Sequence, residues 1–156
     1  MDYISARNRE FQTTLRVLEA YPESHIHLKP AEKSRTAGEL ALTLAMEERV
    51  LTAVLQTGAT DPNLQRPDVP SAMAGIIALW QQAAAANDRV LAALSPKDFE
   101  KPVNFYGMQI PLVDALWFEL LDHIHHRGQF SVYVRLAGAK LPSIYGPTAD
   151  EPMPGA

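Results

Sequence analysis

Three imidazoles and a carboxylate crowd five positions of the run Leu121-Asp122-His123-Ile124-His125-His126-Arg127-Gly128-Gln129. Nitrogen and oxygen donors of this kind bind divalent metal ions. Asp122 and His126 stand four apart, one helical turn, so both side chains can lean toward a common point. His123, three before His126, can share that face and is a substitute metal ligand or a partly exposed helix histidine. At about 100° per residue, His125 points away, toward packing or solvent. The Asp122–His126 pair reads in two ways: half of a metal site with open positions for water and substrate, or a buried hydrogen bond holding two helices in register.

Other residues could complete such a site. Glu47, in mid-helix, could supply an anionic ligand or act as a general base; the plainer alternative is a solvated or ion-paired glutamate beside Glu48 and Arg49. Arg127 could bind an anionic substrate group, or form a salt bridge that fixes a dimer or the C-terminal tail. His25 and His27 lie in a loop that either folds over the site or faces solvent. Trp80, Trp117 and Phe118 read as core or interface aromatics. Gly128 costs a helix interior about 1 kcal/mol relative to alanine. Close contact with another helix, or with Ser143-Ile144-Tyr145 folding back, would explain it.

Four segments of helical periodicity must position these groups. The first runs from about Asp2 to Ala20, with Phe11, Leu15 and Leu18 in one row, and stops at Tyr21-Pro22. The second opens at Ser34 or Thr36, with Thr36 and Glu39 at capping-box spacing, and ends at Gly58. The third spans about Ser71 to Leu94, and the fourth about Leu112 to Ala137. Between Pro102 and Pro111 the pattern alternates around Gly107, which predicts a short hairpin or extended crossover. The expected fold is an all-α four-helix bundle with long crossover connections. Residues 1–141 form its domain, and residues 142–156 form a non-helical tail with a frayed end.

At 156 residues, 47% hydrophobic and 21% charged, the chain has the composition of one globular domain. A formal charge of -4 and the lack of a Lys/Arg stripe argue against a nucleic-acid partner. Cysteine is absent, so a metal would rest on nitrogen and oxygen ligands alone. Met1-Asp2-Tyr3-Ile4 lacks a secretory signal pattern, and no apolar run is long enough to suggest a membrane span. A cytoplasmic location is the expectation.

His126-Arg127-Gly128-Gln129, in a last helix ending Tyr133-Val134-Arg135-Leu136-Ala137-Gly138, resembles the DinB-like (YfiT-like) superfamily. Pro142-Ser143-Ile144-Tyr145-Gly146-Pro147 and Arg35-Thr36-Ala37-Gly38-Glu39-Leu40-Ala41 extend the likeness, as does the helix order. The resemblance implies a four-helix bundle, often a homodimer, with a divalent metal (Zn, Ni or Fe) at one end. Its implied ligands are a histidine on the second helix and a pair four apart on the last, here Asp122 and His126. Most relatives carry histidine where this chain has Thr43, and a neutral hydroxyl is a poor ligand beside imidazole.

Two functions are therefore expected in competition. One is a metal-dependent hydrolase, or a transferase using a low-molecular-weight thiol, acting on a small molecule; relatives using bacillithiol or mycothiol suggest the latter. The other is a metal-free binding or scaffolding protein whose site has degenerated at Thr43.

Overall fold

The computed structural model describes residues 2–152, and the predicted bundle is what it contains. The helices are α1 (Tyr3–Glu19), α2 (Ala37–Thr57), α3 (Met73–Ala93) and α4 (Leu112–Leu136), with a hairpin of β1 (Pro102–Phe105) and β2 (Met108–Pro111) before α4. Local chemistry sets the boundaries. Asp2 caps α1 by accepting from the Ser5 N–H at 2.9 Å. Thr36 and Glu39 form the reciprocal capping box at the start of α2, at 3.2 and 2.7 Å. Gly58, in the left-handed conformation at φ 75°, ends α2.

The hairpin turns at Tyr106-Gly107, whose φ angles of 49° and 85° suit the tight turn that matches strand twist. Val103 and Phe105 alternate inward from β1. Asn104 pairs through its backbone with Gly58 and Thr60, tying the hairpin to the end of α2. The backbone N–H of Leu112 then donates to Lys101 at 2.8 Å, so the hairpin feeds straight into α4.

Helix α2 packs on α3 and α4, and α1 packs on α4 and α3. The buried apolar residues fall into two groups. One holds Val17, Leu18, Leu40, Leu44, Ile76, Trp80, Phe130 and Val134. The other holds Tyr3, Ala6, Leu51, Val54, Leu91, Phe105, Leu116 and Leu120. Between them each helix contributes buried polar residues: Arg7, Glu10 and Thr14 from α1, Glu47 and Glu48 from α2, Asn87 from α3, and Glu119, His123 and Arg127 from α4. A polar layer thus divides the core at mid-height. Burying so many charges is costly unless each is paired or neutralised. All of them but Glu119, whose carboxyl burial and neighbouring acids raise to about 8, have a partner. Arg7 forks onto both Glu48 oxygens at 2.9 and 2.6 Å, and Asn87 donates to Glu48 at 2.9 Å.

The segment after α4 is non-helical and packs back on the bundle. Tyr145 donates its hydroxyl proton to Glu10 at 2.7 Å and accepts from Arg127 Nη2 at 2.6 Å. The expected frayed end, from residue 153 on, lies outside the described residues. Gly128 departs from expectation. A side chain at that position would meet nothing within 4 Å, so neither a helix of the same chain nor the tail presses on it. The tail docks one residue away, about 100° round the helix, through Arg127.

Candidate metal centre

The site is built where the middle of α2 faces the middle of α4. Glu47 sits at the centre of α2, on the face that also buries Leu40, Leu44, Leu51 and Val54, so helical periodicity carries its carboxylate inward. Asp122 and His126 come from successive turns of α4 and lean toward it. One donor atom each from Glu47, Asp122 and His126 lies within 4.8 Å of the others. Glu47 Oε1 is 2.5 Å from His126 Nδ1, and Asp122 Oδ2 is 3.7 Å from the same nitrogen. A direct Asp122–His126 hydrogen bond is therefore not formed; the glutamate occupies that nitrogen. The Glu47 and His126 side chains are 7% and 14% exposed against 42% for Asp122, so the cluster runs from the core to an open mouth.

His123 stands behind this group. Its Nδ1 faces Glu47 Oε2 at 3.2 Å and its Nε2 faces Thr14 Oγ1 at 2.8 Å. The ring stacks on Phe11 and Trp80, at centroid distances of 4.7 and 5.9 Å. With both nitrogens engaged it is not among the converging donors, and it orients Glu47 instead. Both ring nitrogens of His123 thus have a hydrogen-bond partner, Glu47 at Nδ1 and Thr14 at Nε2.

The electrostatics follow from this packing. Burial pushes the Glu47 carboxyl up, but hydrogen bonds and charge from His123 and His126 outweigh it and hold the group below the usual carboxylate range. The Glu47 hydrogen bond lifts His126 above the usual imidazole value, with burial opposing and the Glu47 and Asp122 charges assisting. Glu119, one turn earlier on α4, behaves oppositely. Burial, then repulsion from Glu47, Asp122 and Glu48, raises its carboxyl to about 8. Glu119 was not anticipated from sequence, although its spacing from Leu116, Leu120 and His123 places it on the buried face.

Two carboxylates and one imidazole, with no sulfur, form a donor set that suits a divalent ion with open coordination positions. The residues present fit such a metal. His126 also lines an open cleft of about 500 Å³ with Arg35, Ser34, Gln129 and Tyr133, so its imidazole is reachable from outside.

The pattern of the DinB family matches residues 3–154. The chain belongs to the DinB family. It is 28% identical over 147 residues to the uncharacterized protein YrdA of Bacillus subtilis (strain 168), covering 91% of this chain and 85% of that protein. Among crystal structures, it resembles a DinB-like protein from Bacillus cereus ATCC 10987, with a TM-score of 0.82 and 21% identity over 92% of this chain and 95% of that one. It also resembles the DinB-like protein YjoA from Bacillus subtilis, with a TM-score of 0.74 and 22% identity over 90% and 96% of the two chains. At these identities the structural likeness establishes the DinB fold alone.

Within this DinB fold, Thr43 does not face the cluster as a donor. Its hydroxyl donates to the Glu39 carbonyl at 3.0 Å and accepts from Arg35 at 3.1 Å. Glu47, one turn later, is the α2 residue that meets Asp122 and His126. The cluster lies at mid-height rather than at one end of the bundle, because Glu47 and His126 both fall near the centres of their helices. Arg127 is 1% exposed, and its Nη1 is held by Glu10 at 2.8 Å. Its place is between α1 and the tail, away from the cleft. His25 and His27 are exposed on the α1–α2 connection, and His125 is exposed and paired with Gln129 at 2.8 Å. Trp80 is buried, Trp117 half-buried and Phe118 exposed. No helix among the described residues is long and apolar enough to cross a membrane.

Proposed function

We propose that this protein is a metal-dependent enzyme acting on a small molecule, either a hydrolase or a transferase that uses a low-molecular-weight thiol. Glu47, Asp122 and His126 would hold the divalent ion, of the Zn, Ni or Fe type. The observation that carries the reading is the convergence of three donor atoms from two helices within 4.8 Å. Bound there, the ion would act as a Lewis acid, drawing electron density from an oxygen or sulfur of the reactants.

The chain's own residues have distinct tasks in this scheme. His123, fixed by Thr14 and by the Phe11 and Trp80 rings, sets the angle of the Glu47 carboxylate. Asp122, at the mouth, leaves part of its carboxylate open to an incoming molecule. Without the ion, burial and the neighbouring acids hold the proton of Glu119 up to about pH 8. The repulsion from Glu47 and Asp122 would be offset by a cation held between them, easing release of that proton and making Glu119 a proton source within electrostatic reach of the cluster. The walls of the cleft, Ser34, Gln129 and Tyr133, would position substrate beside His126.

The test is metal analysis of full-length protein purified without a histidine tag. Close to one equivalent of bound divalent metal supports the reading. Less than about a tenth of an equivalent, even after reconstitution, rejects it.

A second reading, a metal-free binding or scaffolding protein, is favoured by one observation. Glu47 is already satisfied by two histidines and Thr43 by its own partners, so the site is internally paired without an ion. Thr43→His separates the two. A wild type already fully loaded, and unchanged by the substitution, removes the degenerate-site reading.

We further propose a homodimer formed through α4. Phe118, Leu121, Val132 and Leu136 are each more than half exposed along one face of the helix, with Gly128 in their midst. A second copy approaching closely at Gly128 would account for both the apolar stripe and the glycine.

A further inference from the structure

Arg35 and Arg66 meet at one oxygen atom. Arg35, the residue before the α2 cap, donates from Nη1 to Thr43 Oγ1 at 3.1 Å. Arg66, from the connection between α2 and α3, donates from Nη2 to the same oxygen at 3.4 Å. The hydroxyl's own proton goes to the Glu39 carbonyl, so Thr43 has no capacity left. The two guanidinium groups consequently lie side by side.

Neither has a carboxylate partner. Among the described residues no Asp or Glu oxygen lies within 4.0 Å of either guanidinium. Glu39, between them in sequence, turns its carboxylate to the Thr36 N–H at 2.7 Å. Backbone contacts nevertheless keep both arginines in place. The Tyr133 hydroxyl donates to the Arg35 carbonyl at 2.8 Å, and Arg66 Nη2 donates to the Glu39 carbonyl at 2.5 Å. Arg49 holds the neighbouring Gln65 carbonyl at 2.8 Å. Partial burial and then the Arg35 charge pull the Arg66 guanidinium below its usual range, with the Glu39 charge opposing.

Arg35 lines the cleft that ends at His126, and Arg66 adjoins Arg35 through the shared Thr43 oxygen. Arg35 and His126 line the same 500 Å³ space, and the Arg35 charge is felt at the His126 ring. Two adjoining cations without a counter-ion repel one another, and an oxyanion between them removes that cost. The planar fork of arginine matches carboxylate and phosphate oxygens two at a time.

We infer that the cleft takes a small molecule bearing an oxyanion, a carboxylate or a phosphate, which the Arg35–Arg66 pair holds while the remainder reaches toward Glu47, Asp122 and His126. What the far end of the molecule meets rests on the metal-centre reading; the anion subsite itself needs no metal.

Calorimetric titration of metal-stripped, full-length protein at low salt tests this, with inorganic phosphate in one arm and acetate in the other. Saturable binding in either arm is expected, weakened about tenfold or more in Arg35→Gln and in Arg66→Gln. Arg89→Gln, an exposed arginine on α3, should leave it unchanged. The arm that binds identifies the anion. Absence of binding in both arms overturns the inference, and so does equal weakening by Arg89→Gln, which would mark diffuse charge attraction. Both arginines are exposed, and a thermal melt of each variant checks folding; if one variant melts early, the other carries the test. Metal content is measured on the same preparations before stripping. Phosphate or acetate binding without metal sustains the subsite while the metal reading fails, and metal loading without anion binding has the reverse meaning.

Discussion

The carboxylate of Glu47 lies 2.5 Å from Nδ1 of His126, joining the midpoints of α2 and α4 through the most buried acid of the cluster. The same carboxylate takes a second bond from His123 through its other oxygen, at 3.2 Å. One side chain therefore links the open face of the site to its aromatic backing, and changes on either side of it should be felt at the cluster.

Glu47→Gln removes the charge that the cluster presents to a cation, and metal binding should become at least about tenfold weaker. Thr14→Val leaves every candidate ligand intact but frees His123. Loss of such an outer partner weakens metal affinity by about 10–100-fold where it orients a ligand. Equilibrium dialysis with Zn, followed by elemental analysis, checks both; unchanged affinity in Thr14→Val would remove the orienting role of His123.

Glu119 should make the protein sensitive to alkaline pH. Its folded-state carboxyl is raised to about 8 by burial and neighbouring acids, above its ordinary value of 4.5. The stability this contributes is complete below 4.5 and is lost as pH rises through about 8. Glu119→Gln has no proton to lose there. Its melting temperature should exceed that of the wild type at about pH 9, with the gap shrinking toward about pH 5. Thermal melts across that range decide it, and a parallel pair of curves would contradict the assignment.

Tyr145→Phe and Arg127→Met should separate two strengths of tail attachment. The first deletes one hydroxyl bonded to Glu10 and Arg127, worth about 0.5–1.5 kcal/mol, or somewhat more because both partners are charged. The second takes the buried guanidinium from Glu10, leaving it the Tyr145 hydroxyl and the exposed Arg9 at 3.2 Å. Breaking a buried pair costs up to about 3–5 kcal/mol. Urea denaturation should rank Arg127→Met as clearly the more damaging. Equal losses would mean that Arg9 suffices to pair Glu10.

Leu121→Glu tests the α4 dimer. Leu121 is 61% exposed, so the substitution should leave the monomer folded while placing charge in the proposed interface. Light scattering after size-exclusion chromatography should show a dimer for the wild type and a monomer for the variant at micromolar concentration. A wild-type monomer would remove the interface altogether.

Helix order and the hairpin were legible in the sequence because their determinants are local. Thr36 and Glu39 form the cap their spacing predicts, and the alternation around Gly107 is a hairpin. The polar layer was much less visible. Arg7, Glu10 and Thr14 look like ordinary surface residues of amphipathic helices, and only their partners on other elements make burial tolerable. Glu48 illustrates the difficulty. It read as a sign that this part of α2 is solvated, yet it is 4% exposed because Arg7 and Asn87 come to meet it.

The sequence by itself determined that Asp122 and His126 share one face of α4, since helical spacing fixes that relation without any partner. Glu47 was among the residues that could join them, but spacing along one chain cannot say which helix faces which. That was decided by packing: α2 and α4 bury their apolar rows on each other, which brings Glu47 opposite His126. The same packing turns His123 into the core behind them and closes Arg127 between α1 and the tail. Contacts between residues distant in the chain depend on how all four helices fill space together, so they became readable only in the folded molecule.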